Sequence, residues 1–288
     1  MKKHLSSMIL LVFMLAGLSL LLYPTVSDYW NSFHQSKAIA NYAETVNEMA
    51  EAQRAAMLAE ARAYNEALAQ TGNLSKLTDE QMAAYNSILD ITGTGIMGYI
   101  DIPIIGVSLP IYHGVEESVL QVAVGHLAGT AFPIGGKNTH CVVSGHRGLP
   151  TAKLFTNLDE VAEGDVFTVQ VLDQTVTYLV DQIRIVLPAE VDDLQIEREQ
   201  DYMTLVTCTP YGVNTHRLLV RGHRIENAEE MQETLVVADA TQVDSYLVAL
   251  FIAVPVLVIL VAVSLLRRDS QTTEEKLKKI LRNDSEGG

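Results

Sequence analysis

The sequence has few basic residues and no motif typical of phosphate or metal binding. Its 288 residues include 35 acidic but only 20 basic ones, for a formal charge of −15. No stretch forms the broad basic patch that nucleic-acid binding requires, so we expect no nucleic-acid partner. Glycine-rich phosphate loops, internal repeats and the ligand spacings of zinc sites are missing as well, and we predict no metal site.

Cysteine is scarce, with Cys141 and Cys208 as the two examples. In an exported domain these two residues could form one disulfide. That bond would consume the thiol of Cys208, which is the residue with the more informative surroundings. We therefore expect both cysteines to be free, with Cys141 as a small apolar strand residue.

Proline is absent between Pro24 and Pro103, and the sequence there favours helices. Residues 36–70 are rich in Ala, Glu, Met and Arg, with apolar positions spaced three to four apart, which predicts a helix. A second short helix is predicted over 79–89, with Thr78 as N-cap and Gln81 completing a capping box. The segment 91–95, ITGTG, is typical of a flexible joint.

Long apolar runs occur twice, one near each end of the chain. Residues 246–266 are uncharged and would span about 31 Å as a helix, close to the ~30 Å hydrocarbon core. Arg267 and Arg268 follow, which places that end in the cytoplasm by the positive-inside rule. Residues 8–23 form the shorter run, interpreted as a retained signal-anchor, with a cleaved signal peptide as the alternative. The region between the two runs is expected to lie outside the cell, with both termini inside.

From residue 96 onward the pattern changes to short β-strands separated by turns. Strands are predicted at 96–102, 107–112, 166–171, 175–180, 183–187, 204–207 and 217–220, with residues 172–174 as a hairpin turn. Residues 192–200 are charged and predict a loop or short helix. Many short strands of this kind indicate a barrel or a sandwich.

The most informative stretch is 204–224, TLVTCTPYGVNTHRLLVRGHR. It places Cys208 at the end of an apolar run and Arg217 in the run that follows a turn. A thiol beside a permanently charged guanidinium suits attack on a carbonyl and stabilisation of the resulting negative charge. The alternative is a structural cysteine in a hairpin with a surface arginine.

A histidine segment upstream, HCVVSGHRGLP, argues against that alternative. His146 stands at the end of a short apolar run that predicts a strand. Catalytic residues are often found at strand ends, where the sheet holds them rigidly and the adjoining loops leave them accessible to ligands. His146 and Cys208 are 62 positions apart, so only folding brings them together.

These two segments together resemble class C sortases, the pilin-polymerising cysteine transpeptidases. The stretches 95–114, 125–136 and 152–158 fit the same family. The resemblance implies a mainly β fold, a closed sortase-type barrel of about eight strands, with an N-terminal helical or lid region and two flanking transmembrane segments. The implied boundaries are 1–35 for the cytoplasmic tip, signal-anchor and membrane-proximal segment, 36–95 for the helical region, 96–228 for the barrel, 229–245 for a linker, 246–266 for the second span and 267–288 for a cytoplasmic tail.

The resemblance also assigns the site. Cys208 is implied to be the nucleophile, His146 the acid-base group and Arg217 the oxyanion or carbonyl donor. Substrate contacts are expected from Ser144, Leu205, Thr207 and Thr209. The implied reaction cleaves an LPXTG-like signal between Thr and Gly and transfers the acyl group to a pilin lysine, in the membrane of a Gram-positive bacterium and without a cofactor.

One feature departs from the class C pattern. These enzymes often carry a lid with an Asp-Pro-aromatic motif, and no such motif occurs here. Leu77, Thr78 and Asp79 occupy about the expected place and are the lid candidates, so residues 36–89 are hypothesised to cover the cleft. The residues 28–30, Asp-Tyr-Trp, follow the membrane segment directly and are interpreted as an interfacial anchor.

Two other functions remain open from the sequence. A sortase that attaches surface proteins to the cell wall differs in the nucleophile that resolves the thioester. A non-catalytic surface β-domain would make Cys208 incidental, but it gives no reason for three residues to match one family's motifs together.

Overall fold

The structure is a computed structural model that describes residues 2–73 and 77–227. Three helices, α1 (Lys2–Glu48), α2 (Glu51–Thr71) and α3 (Asp79–Ser87), precede the β-strands. The predicted linker, second membrane segment and cytoplasmic tail lie outside the described residues. Within the described part of the chain, α1 is the one helix long and apolar enough to cross a membrane.

The helical region differs from the prediction in where its helices divide. The helix expected over residues 36–70 is shared between α1 and α2, and α1 continues back through Pro24 to Lys2. Arg54 stabilises the break, because its Nη1 donates to the carbonyls of Val46 at 3.3 Å and Met49 at 2.6 Å at the end of α1.

The short third helix was predicted with its cap. In the structure the Gln81 amide donates to Thr78 Oγ1 at 3.3 Å, and the Thr78 amide donates to Gln81 Oε1 at 2.8 Å. These two bonds are the reciprocal pair of a capping box, which satisfies two amides at the start of α3.

Eight strands form a closed barrel, as the family resemblance implied. In chain order the strands are β1 (Ile96–Ile102), β2 (Val107–His113), β3 (Val124–His126), β4 (Thr139–Ser144), β5 (Val166–Val171), β6 (Gln174–Val186), β7 (Asp201–Thr209) and β8 (His216–Ile225). They are hydrogen-bonded in the order β1-β2-β3-β4-β7-β8-β6-β5. The pairs β2–β3 and β4–β7 are parallel and the others described are antiparallel. The strands predicted at 175–180 and 183–187 are one strand, β6, with an irregularity between Val180 and Gln182.

The topology defines two ends of the barrel. Since β4 and β7 are parallel, both finish at the same end, and β8 starts there because it is antiparallel to β7. By the same pairings the β1–β2 turn, the start of β3 and the finish of β6 also lie at this end. We call it the Cys208 end, and the opposite one the far end.

Helix α3 packs against the barrel core toward the far end. Tyr85 of α3 is fully buried, and its ring stacks on His126 and Phe132 at centroid distances of 5.7 and 5.4 Å. Its hydroxyl bonds to His126 Nδ1 at 2.9 Å and accepts from the Gly114 amide at 3.1 Å. The burial of such aromatic rings contributes apolar stabilisation while each polar atom keeps a partner.

Two buried histidines should make the fold sensitive to acid. Burial lowers the pKa of His126 and of His140 from 6.5 to about 4 in each case. The folded state therefore keeps both rings neutral at pH values where the unfolded chain protonates them. The contribution of these neutral rings to the free energy of unfolding is therefore complete above pH 6.5 and is lost as the pH falls toward 4.

We expect each of these histidines to lower the free energy of unfolding by about 2.5 kcal/mol between pH 7 and pH 4.5. Urea unfolding of the detergent-solubilised chain at both pH values measures this loss. His140→Gln should reduce the loss, because glutamine does not titrate, whereas His216→Gln, at a side chain outside the buried core, should leave the loss unchanged. Equal losses in the two variants would contradict the assignment.

Candidate active site

Cys208 lies on the outer face of the barrel, one residue from the C-terminus of β7. Side chains alternate along a strand, and Met203 and Leu205 belong to the buried core. Cys208 therefore points outward with Val206, which packs on an outer apolar cluster. The thiol is free and half-buried, and Cys141 is also free but fully buried in the core.

Arg217 is the direct cross-strand partner of Cys208. The two residues are paired in register between β7 and β8. Leu218 and Val220 point into the core, so Arg217 shares the outer face with the thiol. Directly paired residues of this kind have Cβ atoms about 5 Å apart. The two residues are nine positions apart in the sequence, and the intervening turn makes them neighbours.

The guanidinium of Arg217 is held at the start of β8 and has donors to spare. Its Nη1 donates to the carbonyls of Asn214 at 3.3 Å and His216 at 3.1 Å. Among the described residues no carboxylate pairs with it. Its remaining N–H groups are available to a carbonyl or an oxyanion beside Cys208.

The other arginines of the two motifs are engaged elsewhere. Arg147 forms an ion pair with Asp159, and Arg221 pairs with Asp181 at 3.0 Å and stacks over the Tyr202 ring at 4.1 Å. Arg224 donates from Nε to the carbonyl of Ile225 at 3.0 Å.

His146 reaches the same level of the barrel from β4. The register pairs Ser144 with Val206, and the Gly145 amide donates to the Val206 carbonyl at 3.0 Å. His146 lies two residues beyond the end of β4, and Cys208 lies two residues beyond Val206, so both belong to the Cys208 end. Thr207 fixes this turn, because its Oγ1 donates to the Gly145 carbonyl at 2.8 Å.

A carboxylate that the sequence analysis missed faces this histidine. Glu117 opens a short helix, α4 (Glu117–Leu120), and its Oε2 lies 3.4 Å from His146 Nε2. Hydrogen bonds from Gln121 and then from His146 lower the pKa of this exposed carboxyl. No motif marked Glu117, since it lies 29 positions before His146 and no shared pattern links the two positions.

The four predicted substrate contacts divide between the two faces of the barrel wall. Leu205 has 0% exposure inside the core, and Thr207 is buried and bonded to Gly145. Thr209 is buried as well and accepts from Arg147 Nη1 at 3.3 Å. Alternation along β7 turns the Leu205 side chain into the core and away from the thiol. Ser144 is the one of the four that shares the outer face with Cys208.

An outer apolar cluster that the sequence analysis did not single out extends from the thiol. It contains the buried residues Val142, Leu194 and Leu219, with Leu127, Val186 and Val206 packed against them. Val186 is paired in register with Arg217, and Val206 precedes Cys208 on the same face. The cluster therefore offers apolar contacts to a peptide lying across the pair of Cys208 and Arg217.

The lid candidates are not brought to the thiol by any hydrogen bond or ion pair among the described residues. Leu77 is partly buried against the core, Thr78 caps α3 and Asp79 is exposed. Their helix is anchored through Tyr85 toward the far end. The part of the N-terminal region that contacts the Cys208 end is α1, where Asn31 Nδ2 donates to the Thr151 carbonyl at 2.7 Å.

Comparisons with known proteins agree with this geometry. The family model of the Sortase domain matches residues 100–225. Sortase C1 from Streptococcus agalactiae is 51% identical, with a TM-score of 0.65 over 66% of this chain and 99% of that one. Sortase C from Streptococcus pneumoniae, whose structure was described for its catalysis and pilin substrate specificity, is 42% identical, with a TM-score of 0.61 over 66% and 97%.

A more distant relative is Sortase D from Bacillus subtilis, 28% identical over 131 residues, which are 44% of this chain and 63% of that protein. The match thus spans less than two thirds of this curated relative. The barrel, the site and the sortase C structures lead to one conclusion: the chain belongs to the sortase family of cysteine transpeptidases, within class C.

Proposed function

We propose that this chain is a membrane-anchored sortase that cuts an LPXTG-like sorting signal between Thr and Gly and transfers the acyl group to a lysine of a pilin subunit. The observation that carries the proposal is the register pair of Cys208 and Arg217, with His146 at the same end of the barrel, two residues beyond the adjoining strand β4. The class C relatives support this choice of chemistry and substrate.

In the first half-reaction Cys208 attacks the threonine carbonyl as a thiolate and forms a C–S bond. The carbonyl oxygen takes up negative charge, which the free N–H donors of Arg217 stabilise. The C–N bond to glycine then breaks, and His146 as an imidazolium gives a proton to the leaving amine. A thioester on Cys208 and a released glycine peptide result.

In the second half-reaction a lysine amine attacks the thioester while His146 accepts its proton. The C–S bond breaks, an isopeptide bond remains and Cys208 returns as a thiolate. Glu117, whose Oε2 lies 3.4 Å from His146 Nε2, can orient the imidazole. Water in place of the amine would give hydrolysis as the side reaction.

The apolar residues of the sorting signal are proposed to lie on the outer cluster that begins at Val206 and Val186. Its members are buried or half-buried against one another, so the cluster is a preformed surface rather than a loose set of side chains. Ser144 borders it on β4 and is the polar contact retained from the sequence prediction.

Arg217→Lys should lower kcat for an LPXTG-type peptide by about 10²- to 10³-fold with little change in KM, because a lysine ammonium lacks the planar fork of donors aimed at the oxyanion. Steady-state peptide cleavage measures the effect. The matched control is Arg184→Lys. Arg184 lies on the neighbouring strand β6 and forms an exposed ion pair with Asp193, so its variant should keep a kcat near that of the wild type. Comparable rates in the two variants would remove Arg217 from the mechanism.

The acceptor decides between polymerising pilin and attaching proteins to the cell wall. Incubating the enzyme with a sorting-signal substrate, a pilin subunit and a cell-wall peptide amine, followed by mass spectrometry of the products, compares the two. Isopeptide-linked pilin subunits are expected. Products carrying only the cell-wall amine would identify an anchoring sortase and leave the thioacyl step intact.

A further inference from the structure

Exposed apolar side chains are concentrated at one end of the barrel. Outside α1, the described residues include eight large hydrophobic side chains that are classed as exposed. Six of them lie in turns or strand termini of the Cys208 end, and these are Ile104, Val122, Ile185, Leu187, Tyr211 and Val213. The other two are Val191, in the β6–β7 loop, and Met82 on α3. We call the six residues the apolar rim.

Helix α1 docks on the same end through one of its faces. The Lys153 amide donates to Asp28 Oδ1 at 2.8 Å, Asn31 Nδ2 donates to the Thr151 carbonyl at 2.7 Å, and Gln35 Nε2 donates to the Val122 carbonyl at 2.7 Å. Positions spaced by three and four residues share one helix face. Thr151 and Lys153 belong to the loop that follows His146, so the helix is fastened to the surroundings of the site.

The direction of α1 follows from its next contacts. Tyr42 donates to the Met97 carbonyl at 3.0 Å and accepts from the Leu172 amide at 2.7 Å. Met97 is near the start of β1 and Leu172 follows β5, and both positions lie at the far end. The helix therefore passes the barrel from the Cys208 end to the far end, and its residues before Asp28 project beyond the Cys208 end.

The face of α1 opposite the barrel is aromatic and exposed just where the apolar run ends. Tyr29, Trp30 and Phe33 are 72%, 63% and 56% exposed. Aromatic residues of this kind favour the headgroup layer of a bilayer. Asp28 and Asn31 lie only about 7 and 12 Å along the helix from Tyr23, the last residue of the apolar run. The contacts that hold the loop after His146 are therefore at headgroup level.

We propose that the apolar rim is a membrane-facing surface, so that the catalytic end of the barrel rests on the lipid headgroups and Cys208 reaches peptide bonds held at the bilayer surface. The continuity of the rim with the docked and aromatic segment of α1 favours lipid over a protein partner. The consequence for substrate choice rests on the proposed function: the enzyme favours substrates tethered in its own membrane over free ones.

Lipid contact is tested directly with site-specific labels on the full chain in vesicles. In a Cys208→Ala background, Val213→Cys carries an environment-sensitive fluorophore on the rim, and Asp173→Cys in the β5–β6 turn carries it at the far end as the control. The buried Cys141 is shielded from labelling. Lipids with a nitroxide near the headgroup should quench the label at position 213 and not that at 173. Equal quenching at both positions, or quenching at neither, would overturn the proposal. A label at position 213 whose fluorescence changes only when a protein substrate is added would also overturn it, because the rim would then contact protein and not lipid.

Activity tests the consequence for substrates. The double variant Ile104→Asp, Val122→Asp introduces negative charge on the rim at positions outside the strands that carry Cys208 and Arg217. The matched control is Met82→Asp, which introduces a negative charge on α3. In anionic vesicles the rim variant should cleave a lipid-tethered LPXTG peptide about tenfold more slowly, equivalent to ~1.4 kcal/mol, and a free peptide at the unchanged rate. Met82→Asp should change neither rate.

The two proposals fail in distinguishable ways. A rim variant that slows both substrates equally, or neither, contradicts the membrane-facing rim. If the unmodified chain cleaves neither substrate, the proposed function is wrong, and the quenching experiment still decides the orientation of the rim.

Discussion

Replacing Cys208 with alanine is expected to abolish turnover of an LPXTG-type peptide and to leave the fold intact. The thiol is half-buried on the outer face, so its loss removes the nucleophile without opening a cavity in the core. Among the described residues, no other thiol is paired across the strands with Arg217, so none can replace Cys208. Peptide cleavage followed by chromatography, with circular dichroism as a check on folding, measures both effects.

Cys141→Ala provides the matched control. Cys141 is 2% exposed among core residues, and burial raises the pKa of its thiol, so it neither reaches substrate nor ionises readily. This variant should lose some stability and keep its cleavage activity. Retained activity in Cys208→Ala, or lost activity in a folded Cys141→Ala, would identify a different nucleophile.

The second large effect is expected from His146→Ala, which should reduce kcat by about 10²- to 10⁴-fold. Both the departure of the glycine amine and the attack of the lysine amine need a proton carrier, and His146 lies at the Cys208 end, two residues beyond β4. Rates of thioester formation and of aminolysis, measured separately by rapid quench, should both fall.

His216→Ala separates a specific role from a general need for an imidazole at this end. His216 is half-buried at the start of β8, opposite Thr209, and its Nδ1 bonds to Thr215. Its replacement should change both rates by less than about threefold, since within the described part of the chain its ring bonds only to the adjacent Thr215 and surface substitutions usually have small effects. Similar losses in the two variants would mean that His146 is not the acid-base group.

Features determined by local sequence were predictable. The capping box at Thr78 and the limits of β1 follow from short-range chemistry and were predicted at the residues observed. The division of the helical region at Met49 was not, because the residue that stabilises it, Arg54, acts through the carbonyls of the preceding helix. The continuity of β6 was missed for a related reason, since pairing with β8 carries the strand across its irregularity.

The site shows the same division between local and long-range information. Cys208 and Arg217 were identified together because a single turn joins their strands. His146 was identified by its own motif, and the parallel pairing of β4 with β7 brings that motif to the Cys208 end. Glu117 comes from a separate helix and left no signal. Leu205 was predicted to contact substrate, and strand alternation with Cys208 outside places its side chain in the core.

The lid hypothesis assigned residues 36–89 to the cleft, whereas the contacts at the Cys208 end come from α1. The hydrogen bonds of Asp28 and Asn31 join positions 125 and 120 residues apart, a distance over which no sequence pattern predicts pairing. The residues 28–30 were interpreted as an interfacial anchor, and their placement beside the loop after His146 suggests how such an anchor also positions the site.

The central claim is a thioester on Cys208. The measurement that tests it most directly is intact-protein mass spectrometry of the chain after incubation with an LPXTG-type peptide in the absence of an amine acceptor, followed by peptide mapping. The account predicts a mass increase equal to the acyl fragment ending in threonine, located on Cys208, discharged by a lysine amine and absent from Cys208→Ala. A folded chain that cleaves the peptide without that adduct, or that carries it on another residue, would contradict the account.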